Sequence, residues 1–353
     1  MNDCITVLVI GLGSHVSQGI VKALAKSSVA CRIVGTCLSH NSAFLYLVDA
    51  AHAQPRLEEN PERFKKWLVR ICHDEGVAVI LTGIEPVVRF LSQHRAEIEQ
   101  QCGAVAIVPS MRILDIAQSK LETCRWLQSH GFQHPRYTPW SSDDKLFAFA
   151  KETGYPIVAK PIYGRGSQGI HVVEDSAGFE CILNKNDYVF QEYVGTPENE
   201  YTVGCFRSPN TGLVDCIVMK RLLQSGFTTK AEVVDHRCIS QECRRLMEAL
   251  DAEGSCNFQL RIHKNRPCVF EINARLSGTT PIRAHFGFND VEANIRHFLW
   301  RDTTRLPKIV SGLAFRYWNE VYVTSTAAQT FAKQGVLHRD NRPHAAIEGF
   351  GRI

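Results

Sequence analysis

The chain has 353 residues, of which 44% are hydrophobic and 22% charged, and its formal net charge is +4. This length predicts two or three domains with cores of their own, and the composition is that of an ordinary soluble globular protein. The charge is too small to indicate a nucleic-acid or membrane partner, and no apolar run approaches the roughly 18 residues that cross a bilayer.

The thirteen cysteines indicate a reducing compartment. They are odd in number, form no C-x-x-C pair and are scattered through apolar runs, which is typical of reduced core thiols and of neither a disulfide framework nor a zinc site. The first residues include an acid and no basic region, unlike a signal peptide. We therefore expect a cytoplasmic protein.

The first third of the chain alternates strand and helix patterns. Strands are predicted at residues 5–10, 31–37, 77–81 and 105–108, and helices from about residue 15 to 26 and at 64–74 and 87–101. Alternation at this spacing predicts a parallel, doubly wound sheet.

The turn after the first strand resembles a dinucleotide-binding loop, but incompletely. Gly11 and Gly13 fit that motif, whereas Val16 occupies the third glycine position and Cys37 the place of the ribose-binding acid. NAD binding is therefore disfavoured. Glu85 follows another strand, where such sheets place their crevice, and is a candidate substrate residue. Its alternative role is to complement the dipole of the following helix.

A second unit begins after Pro109. Ser119 is the predicted N-cap of a helix that ends near His130, and Glu122 would complete a capping box. Lys120, in the first turn, opposes the helix dipole. It is either an ordinary surface lysine or a residue with an anionic partner, which would explain its position better.

A glycine-rich loop follows the strand that contains Lys160. Its G-x-G-x-x-G string consists of Gly164, Gly166 and Gly169, with Ser167 between them. A strand follows this loop instead of a helix, so the geometry of a dinucleotide fold is excluded. The loop is predicted to be a flap whose backbone N–H groups fold over phosphates, which Lys160 would also reach.

Residues 256–275 are predicted to form a β-hairpin around a polar turn at residues 263–267. With the turn centred on Asn265, Gln259 lies opposite Glu271, and Asn257 opposite Asn273. Because side chains alternate between faces, one face is apolar and faces the core. That face contains Cys256, Phe258, Leu260, Ile262, Cys268, Phe270 and Ile272.

The opposite face of this hairpin carries Asn257, Gln259, Arg261, Glu271 and Asn273. A carboxylate among side-chain amides on adjacent rungs offers hard oxygen ligands. Such ligands suit Mg²⁺, which takes one or two carboxylates together with substrate phosphates. The alternative is an ordinary polar sheet face.

The order of these parts resembles the ATP-grasp superfamily. The parts are the helix that opens with Lys120, the Lys160 strand, the glycine flap, Gln191-Glu192-Tyr193-Val194 and the hairpin. Over residues 1–300 the chain is most similar to single-ligase-domain relatives of the carbamoyl-phosphate synthase large chain. The resemblance implies an α/β protein with an N-terminal Rossmann-like (pre-ATP-grasp) parallel sheet, residues 1–112, and a two-lobed α+β ATP-grasp domain, residues 113–305. The small lobe would comprise residues 113–194 and the large lobe 195–305, followed by a C-terminal strand and tail, 306–353.

The resemblance also implies roles for individual residues. Lys120, Lys160 and the 164–169 loop would hold ATP phosphates, the Gln191–Val194 stretch would line the adenine site, and Glu200 would bind ribose. Gln259, Glu271 and Asn273 would bind the metal, and Arg275 would steady the transferred phosphate. Glu85, Arg283 and His285 are candidates for substrate binding, with structural salt bridging as the alternative for the last two. Ser119 departs from the aspartate of many relatives.

The function that this resemblance implies is an ATP- and Mg²⁺-dependent ligase, with Mn²⁺ as an alternative ion. It would join a small-molecule carboxylate to an amine or thiol through an acylphosphate intermediate. The alternatives are a small-molecule kinase and a nucleotide-binding regulatory subunit without turnover. We expect no nucleic-acid or membrane partner and leave a homo-oligomer open. Because no second ligase half and no glutaminase region are present, a complete carbamoyl-phosphate synthase is not expected.

Overall fold

The computed structural model describes residues 4–338, except 165, 167, 181, 183–185, 303–305 and 307. The N-terminal part contains strands β1 (Ile5–Ile10), β2 (Cys31–Cys37), β3 (Ala50–Ala53), β4 (Val77–Thr82) and β5 (Val105–Ala106). Its helices are α1 (His15–Leu24), α2 (Pro61–Glu75), α3 (Glu85–Gln93), α4 (Arg95–Cys102) and α5 (Met111–Gln118). The five strands pair in parallel in the order β3-β2-β1-β4-β5.

Helices cover both faces of this parallel sheet, which is why its strands are almost continuously apolar. Val7 and Val9 face one core, and Leu8 and Ile10 face the other. The predicted single helix at 87–101 is wrong, because the chain breaks at His94 (φ −108°, ψ 15°) and forms α3 and α4. The predicted strand at 105–108 pairs only at Val105 and Ala106.

A small four-stranded antiparallel sheet follows. Its strands are β6 (Tyr137–Pro139), β7 (Ile157–Pro161), β8 (His171–Val173) and β9 (Tyr188–Glu192), in the order β6-β9-β7-β8. Helices α6 (Lys120–Ser129), α7 (Asp143–Thr153) and α8 (Ser176–Glu180) accompany it. Ser119 caps α6 as predicted, because its Oγ accepts a hydrogen bond from Glu122 N at 3.2 Å.

The largest sheet is antiparallel and six-stranded. It consists of β10 (Glu200–Ser208), β11 (Leu213–Gln224), β12 (Phe227–Val233), β13 (Gly254–His263), β14 (Arg266–Asn273) and β15 (Gly312–Phe315), in the order β14-β13-β10-β11-β12-β15. The accompanying helices are α9 (Arg237–Leu250), α10 (Thr280–His285), α11 (Asp290–Trp300) and α12 (Ser325–Gln334). Ile239, Leu246 and Leu250 pack α9 against one face of this sheet.

The end of the described chain joins both large sheets. The strand predicted within residues 306–353 is β15, whose residues Gly312–Phe315 pair antiparallel with β12. A last strand, β16 (Val336–His338), pairs antiparallel with β3 at the edge of the N-terminal sheet. The described C-terminal residues therefore contribute one strand to each of the two larger sheets. No described helix combines the length and apolarity needed to cross a membrane.

The predicted hairpin is present, and its register at the polar residues is confirmed. Asn257 lies opposite Asn273, and Gln259 opposite Glu271. The turn itself is tighter than predicted: Lys264 (φ 50°) and Asn265 (φ 62°) form a two-residue turn between His263 and Arg266. Two positive φ values in sequence match the right-handed twist of the strands.

The tighter turn shifts the pairing next to it by one residue from the prediction. A register shift between Gln259 and Leu260 reverses this, so that Gln259 pairs with Glu271 as predicted. The extra residue lies on β14, so the apolar face predicted for that strand is partly wrong. Val269 packs in the core, whereas Phe270 lies with its ring 4.9 Å from Lys160 Nζ. Cys268 lies opposite Arg261 and therefore shares the polar face. The bulge thus turns the Phe270 ring toward Lys160 and places the Cys268 thiol on the polar face.

Candidate functional site

A cavity of about 640 Å³ lies where the N-terminal sheet meets the largest sheet. Gly11, Gly13 and Gly83, which follow β1 and β4, line one side. Thr202, Gln259 and Glu271 line another, and Gly166 and Gln168 of the glycine flap also contribute. Parallel sheets commonly place ligands at the carboxyl ends of their strands, which is where this cavity begins. A smaller adjoining cavity is lined by Lys120, Gly164, Glu271 and Arg275, among others.

The three predicted metal ligands converge on one point of the cavity wall. Glu271 Oε1 accepts hydrogen bonds from Asn273 Nδ2 at 2.9 Å and from Gln259 Nε2 at 3.3 Å. Among the described residues, no three of the types His, Cys, Asp and Glu are grouped as a metal site. The cluster therefore depends on Glu271 and two amides.

The donor atoms of this cluster fit a divalent cation, although unequally. Rotation of the Asn273 amide would place its oxygen beside the Glu271 carboxylate, and Mg²⁺ accepts such ligands together with water and phosphate oxygens. Gln259 is less free, because its Oε1 accepts a hydrogen bond from Arg221 Nη2 at 2.6 Å. Glu271 and Asn273 are thus the better-placed ligands, and Gln259 would have to release Arg221 first.

Glu200, the predicted ribose ligand, is buried under two arginines. Arg221 donates to its Oε1 at 2.7 and 3.0 Å, and Arg261 donates to its Oε2 at 3.0 Å. The carboxylate thus fixes Arg221 beside Gln259 and Arg261 beside the 191–194 stretch. Sequence reasoning missed Arg221, because the end of an ordinary strand gives no signal of this pairing. Both Glu200 oxygens are engaged, and its contact with ribose stays a prediction.

An ion pair joins the N-terminal unit to the hairpin. Arg275 Nη2 donates to Glu85 Oε1 at 2.7 Å, and Arg275 Nη1 donates to the Leu276 carbonyl oxygen at 3.1 Å. Arg275 Nε is buried and has no hydrogen-bond partner among the described residues. Glu85 at the start of α3 therefore holds Arg275 at the cavity wall, which the sequence did not predict.

The glycine flap is held at its start and contacted at its tip. Lys120 Nζ donates to the Gly164 carbonyl oxygen at 3.0 Å, and Lys120 N donates to Ile162 O at 2.9 Å. At the tip, a Cβ atom on Gly226 would lie 2.4 Å from Gly166 O, so the flap contacts the turn between β11 and β12. Gly226 (φ +78°) leaves no room for a side chain there. Ser167 lies outside the described residues.

The surroundings of Lys160 favour its neutral amine form. Burial lowers the pKa of Lys160 to about 8, while Glu271 favours the charged form and Lys120 opposes it. The ammonium lies over the Phe270 ring, 4.9 Å from its centroid. A lysine with this pKa is partly neutral near neutral pH and gains charge when an anion approaches.

This pKa predicts a pH dependence of nucleotide binding. If Lys160 binds phosphates, it must be protonated, so affinity for MgADP should fall as pH rises above about 8, by up to about tenfold per pH unit. The Lys160→Met variant should bind weakly throughout and lack this step. Equal wild-type affinity at pH 7 and pH 9 would contradict a phosphate-binding role for Lys160.

The same pKa predicts that the free energy of unfolding increases as pH rises from 8 to the ordinary lysine pKa of 10.5. Over this range the folded protein has lost the Lys160 proton while the unfolded chain still holds it, because burial favours the neutral amine.

The side chains of residues 191–194 lie in different environments. Gln191 is 1% exposed, and its Nε2 donates to Cys124 Sγ at 2.9 Å, so this side chain is part of the interior. Glu192 Oε2 accepts from Arg136 Nε at 3.3 Å, and Tyr193 lies under the Arg261 guanidinium at 4.9 Å. The Val194 carbonyl oxygen accepts from Arg261 Nη1 at 3.3 Å. Contact of these residues with adenine stays a prediction, and for Gln191 it would involve the backbone.

The predicted substrate role of Arg283 is not supported by its position. Its side chain is 0% exposed, and its Nη2 pairs with Asp290 Oδ2 at 2.6 Å. Its Nη1 donates to Asn257 Oδ1 at 2.9 Å. Arg283 does not line the cavity, and it fixes Asn257 and Asp290 instead. His285 is exposed and does not line the cavity either.

Two segments of the chain match known protein families. Residues 185–321 match the family described as ATP-grasp in the biosynthetic pathway with Ter operon, and residues 128–190 match the carbamoyl-phosphate synthase L chain, ATP binding domain. The carbamoyl phosphate synthase large chain, N-terminal section, of Methanopyrus kandleri is 26% identical over 162 residues, which are 40% of this chain and 28% of that protein. The chain thus matches little more than a quarter of this relative's length.

Solved structures show a related fold over most of the chain. The ADP complex of N5-carboxyaminoimidazole synthetase from Staphylococcus aureus has a TM-score of 0.67 at 14% identity, covering 89% of this chain and 81% of that one. L-amino acid ligase from Bacillus licheniformis has a TM-score of 0.64 at 16% identity, covering 85% and 75%. At these identities the likeness concerns the fold, and it confirms the predicted α/β class with a parallel N-terminal sheet followed by antiparallel sheets.

Proposed function

The chain is related to the ATP-grasp superfamily, and from this premise we propose that it is an ATP- and Mg²⁺-dependent ligase for a small-molecule carboxylate and an amine or thiol. The observation that carries the proposal is the convergence of Glu271, Asn273 and Gln259 on a cavity that the glycine flap also lines. One of the fold relatives is an L-amino acid ligase. The predicted boundaries 1–112, 113–305 and 306–353 are kept as proposed units.

In this proposal the cluster at Glu271 and Asn273 holds the metal, which neutralises phosphate charge when bound. Lys120, Lys160 and the flap's backbone N–H groups hold the triphosphate, and Arg275, oriented by Glu85, steadies the γ-phosphoryl group. Residues 192–194 line the adenine, and the Glu200 carboxylate, with its arginines, lies at the ribose. In these assignments no side chain of the protein acts as a nucleophile.

The proposed reaction has two steps. A substrate carboxylate oxygen attacks the γ-phosphorus, the bond from that phosphorus to the β–γ bridging oxygen breaks, and ADP leaves. The amine nitrogen then attacks the carbonyl carbon of the acylphosphate, the carbon–oxygen bond breaks, phosphate leaves with the bonding electrons, and the amine loses a proton. Water would hydrolyse this intermediate. The contact between Gly166 and the Gly226 turn is the one that would close the site against water.

A screen of ADP release tests the proposal. Purified protein with MgATP is given candidate carboxylates, each with and without candidate amines and thiols, and the products are identified by mass spectrometry. A ligase releases ADP and phosphate in equal amounts with a condensed product. A stable phosphorylated product would indicate a small-molecule kinase instead, and nucleotide binding without turnover in every mixture would indicate a regulatory subunit.

A further inference from the structure

Arg316 reaches the cavity from a part of the chain to which sequence reasoning gave no role. It directly follows β15, and its backbone N–H donates to the Thr229 carbonyl oxygen at 2.8 Å, which fixes it at the edge of β12. Its guanidinium donates to the Gly278 carbonyl oxygen and lines the cavity that also contains Glu271 and Arg275. Two separate contacts therefore hold this cation at the cavity wall.

The charges around the cavity leave Arg316 uncompensated. Arg275 is paired with Glu85, and Arg221 is paired with Glu200. Glu271 would be matched by the proposed metal. Arg316 has no acidic partner within salt-bridge distance among the described residues, and burial lowers the pKa of its guanidinium. Partial burial of an unpaired cation costs free energy, which an anionic ligand would recover.

The groups beside Arg316 are suited to a small anion. The His15 ring packs edge-on against Phe227 with a centroid distance of 4.9 Å, and a Cβ atom on Gly278 would lie 2.6 Å from His15 Nε2. Burial, followed by repulsion from Arg316 and Arg275, lowers the pKa of His15 to about 4. His15 is therefore a neutral imidazole at pH 7 that can exchange a hydrogen bond without repelling a cationic neighbour.

We propose that His15, Phe227, Gly278 and Arg316 form an anion subsite, which binds a carboxylate or phosphate group of the small molecule that reacts with ATP. This inference rests on the proposed function and deepens it, because it assigns named residues to the binding of the substrate's anionic group. It also transfers to Arg316 the substrate contact that was predicted for the buried Arg283. The subsite belongs to the same cavity as the proposed metal cluster, so one small molecule can contact both.

Calorimetric titration with two probes, inorganic phosphate and succinate, tests the subsite. The full-length wild type, Arg316→Gln, Arg316→Lys and Arg63→Gln are titrated at constant ionic strength, with and without saturating MgADP. Arg63 is an exposed residue of α2 that does not line the cavity, so its variant is a matched control for lost charge. MgADP affinity is measured for every protein, and equal values show that the nucleotide site is intact.

We expect the wild type to bind at least one probe and Arg316→Gln to bind it about tenfold or more weakly, as for loss of a charged hydrogen bond. Arg316→Lys should retain part of the affinity and Arg63→Gln all of it. Preference for phosphate or for succinate identifies the anionic group. Equal affinity in wild type and Arg316→Gln, or no binding of either probe by the wild type, would overturn the inference. Failure of MgADP to bind would instead count against the proposed function, because the titrations without nucleotide report on the subsite separately.

Discussion

Replacing Glu271 with glutamine is expected to lower the rate of ADP release by about a hundredfold or more. Glu271 is the carboxylate of the hairpin cluster, and the Asn273 and Gln259 side chains both donate hydrogen bonds to it. The substitution keeps the size and the polar contacts of the side chain but removes the charge that would hold a divalent ion. The measurement is the steady-state rate with the acid and amine identified by the screen, together with Mn²⁺ affinity in the presence of ATP.

The matched control for this variant is Glu248→Gln. Glu248 is exposed on α9 and does not line the cavity, so both readouts should equal those of the wild type. Equal unfolding midpoints of the two variants would show that any lost activity is local. Near-normal turnover or unchanged Mn²⁺ affinity in Glu271→Gln would contradict the metal assignment.

The Asp290→Asn variant is expected to lose about 3–5 kcal/mol of the free energy of unfolding. Asp290 and Arg283 are each 0% exposed and pair at 2.6 Å, so removing the carboxylate leaves a buried guanidinium without its counter-charge. Arg283 also donates to Asn257 and Thr280, so it cannot turn toward water without breaking those bonds. Urea unfolding followed by circular dichroism measures the loss.

Two comparisons make this prediction specific. Asp302→Asn removes a partner from the partly exposed pair between Arg296 and Asp302 and should cost about 1 kcal/mol or less. The double variant Arg283→Met, Asp290→Asn should be less unstable than the sum of its single variants, because both charges are gone. A loss below 1 kcal/mol for Asp290→Asn would mean that Arg283 is not the buried support described above. A folded Arg283 variant with selectively weakened substrate binding would restore its predicted substrate role.

The sequence was sufficient for the features that depend on local periodicity. Alternating strand and helix patterns predicted the parallel sheet, and the two-residue period of β13 and β14 predicted which polar side chains share a face. The pairing of Gln259 with Glu271 was also predicted, but from a turn centred on Asn265 that the structure does not have. A tighter turn at Lys264 and Asn265 and a bulge near Phe270 offset one another, and neither has a distinct sequence pattern.

The features that sequence could not provide depend on contacts between distant segments. Arg221 and Glu200 lie on neighbouring strands, Glu85 and Arg275 are 190 positions apart, and Arg316 is 38 positions from Gly278. No spacing rule links such residues. Arg283 is a different case: its partner Asp290 is only seven positions away, but the sequence does not show that the two side chains are buried together.

The most direct test of the proposed metal site is a crystal structure with Mn²⁺ and a non-hydrolysable ATP analogue, with data collected so that manganese is located by its anomalous scattering. We expect a manganese peak about 2.0–2.3 Å from oxygens of Glu271 and Asn273, with the triphosphate between that ion and Lys160. A peak elsewhere, with Glu271 facing water and the phosphates away from Lys160, would contradict it.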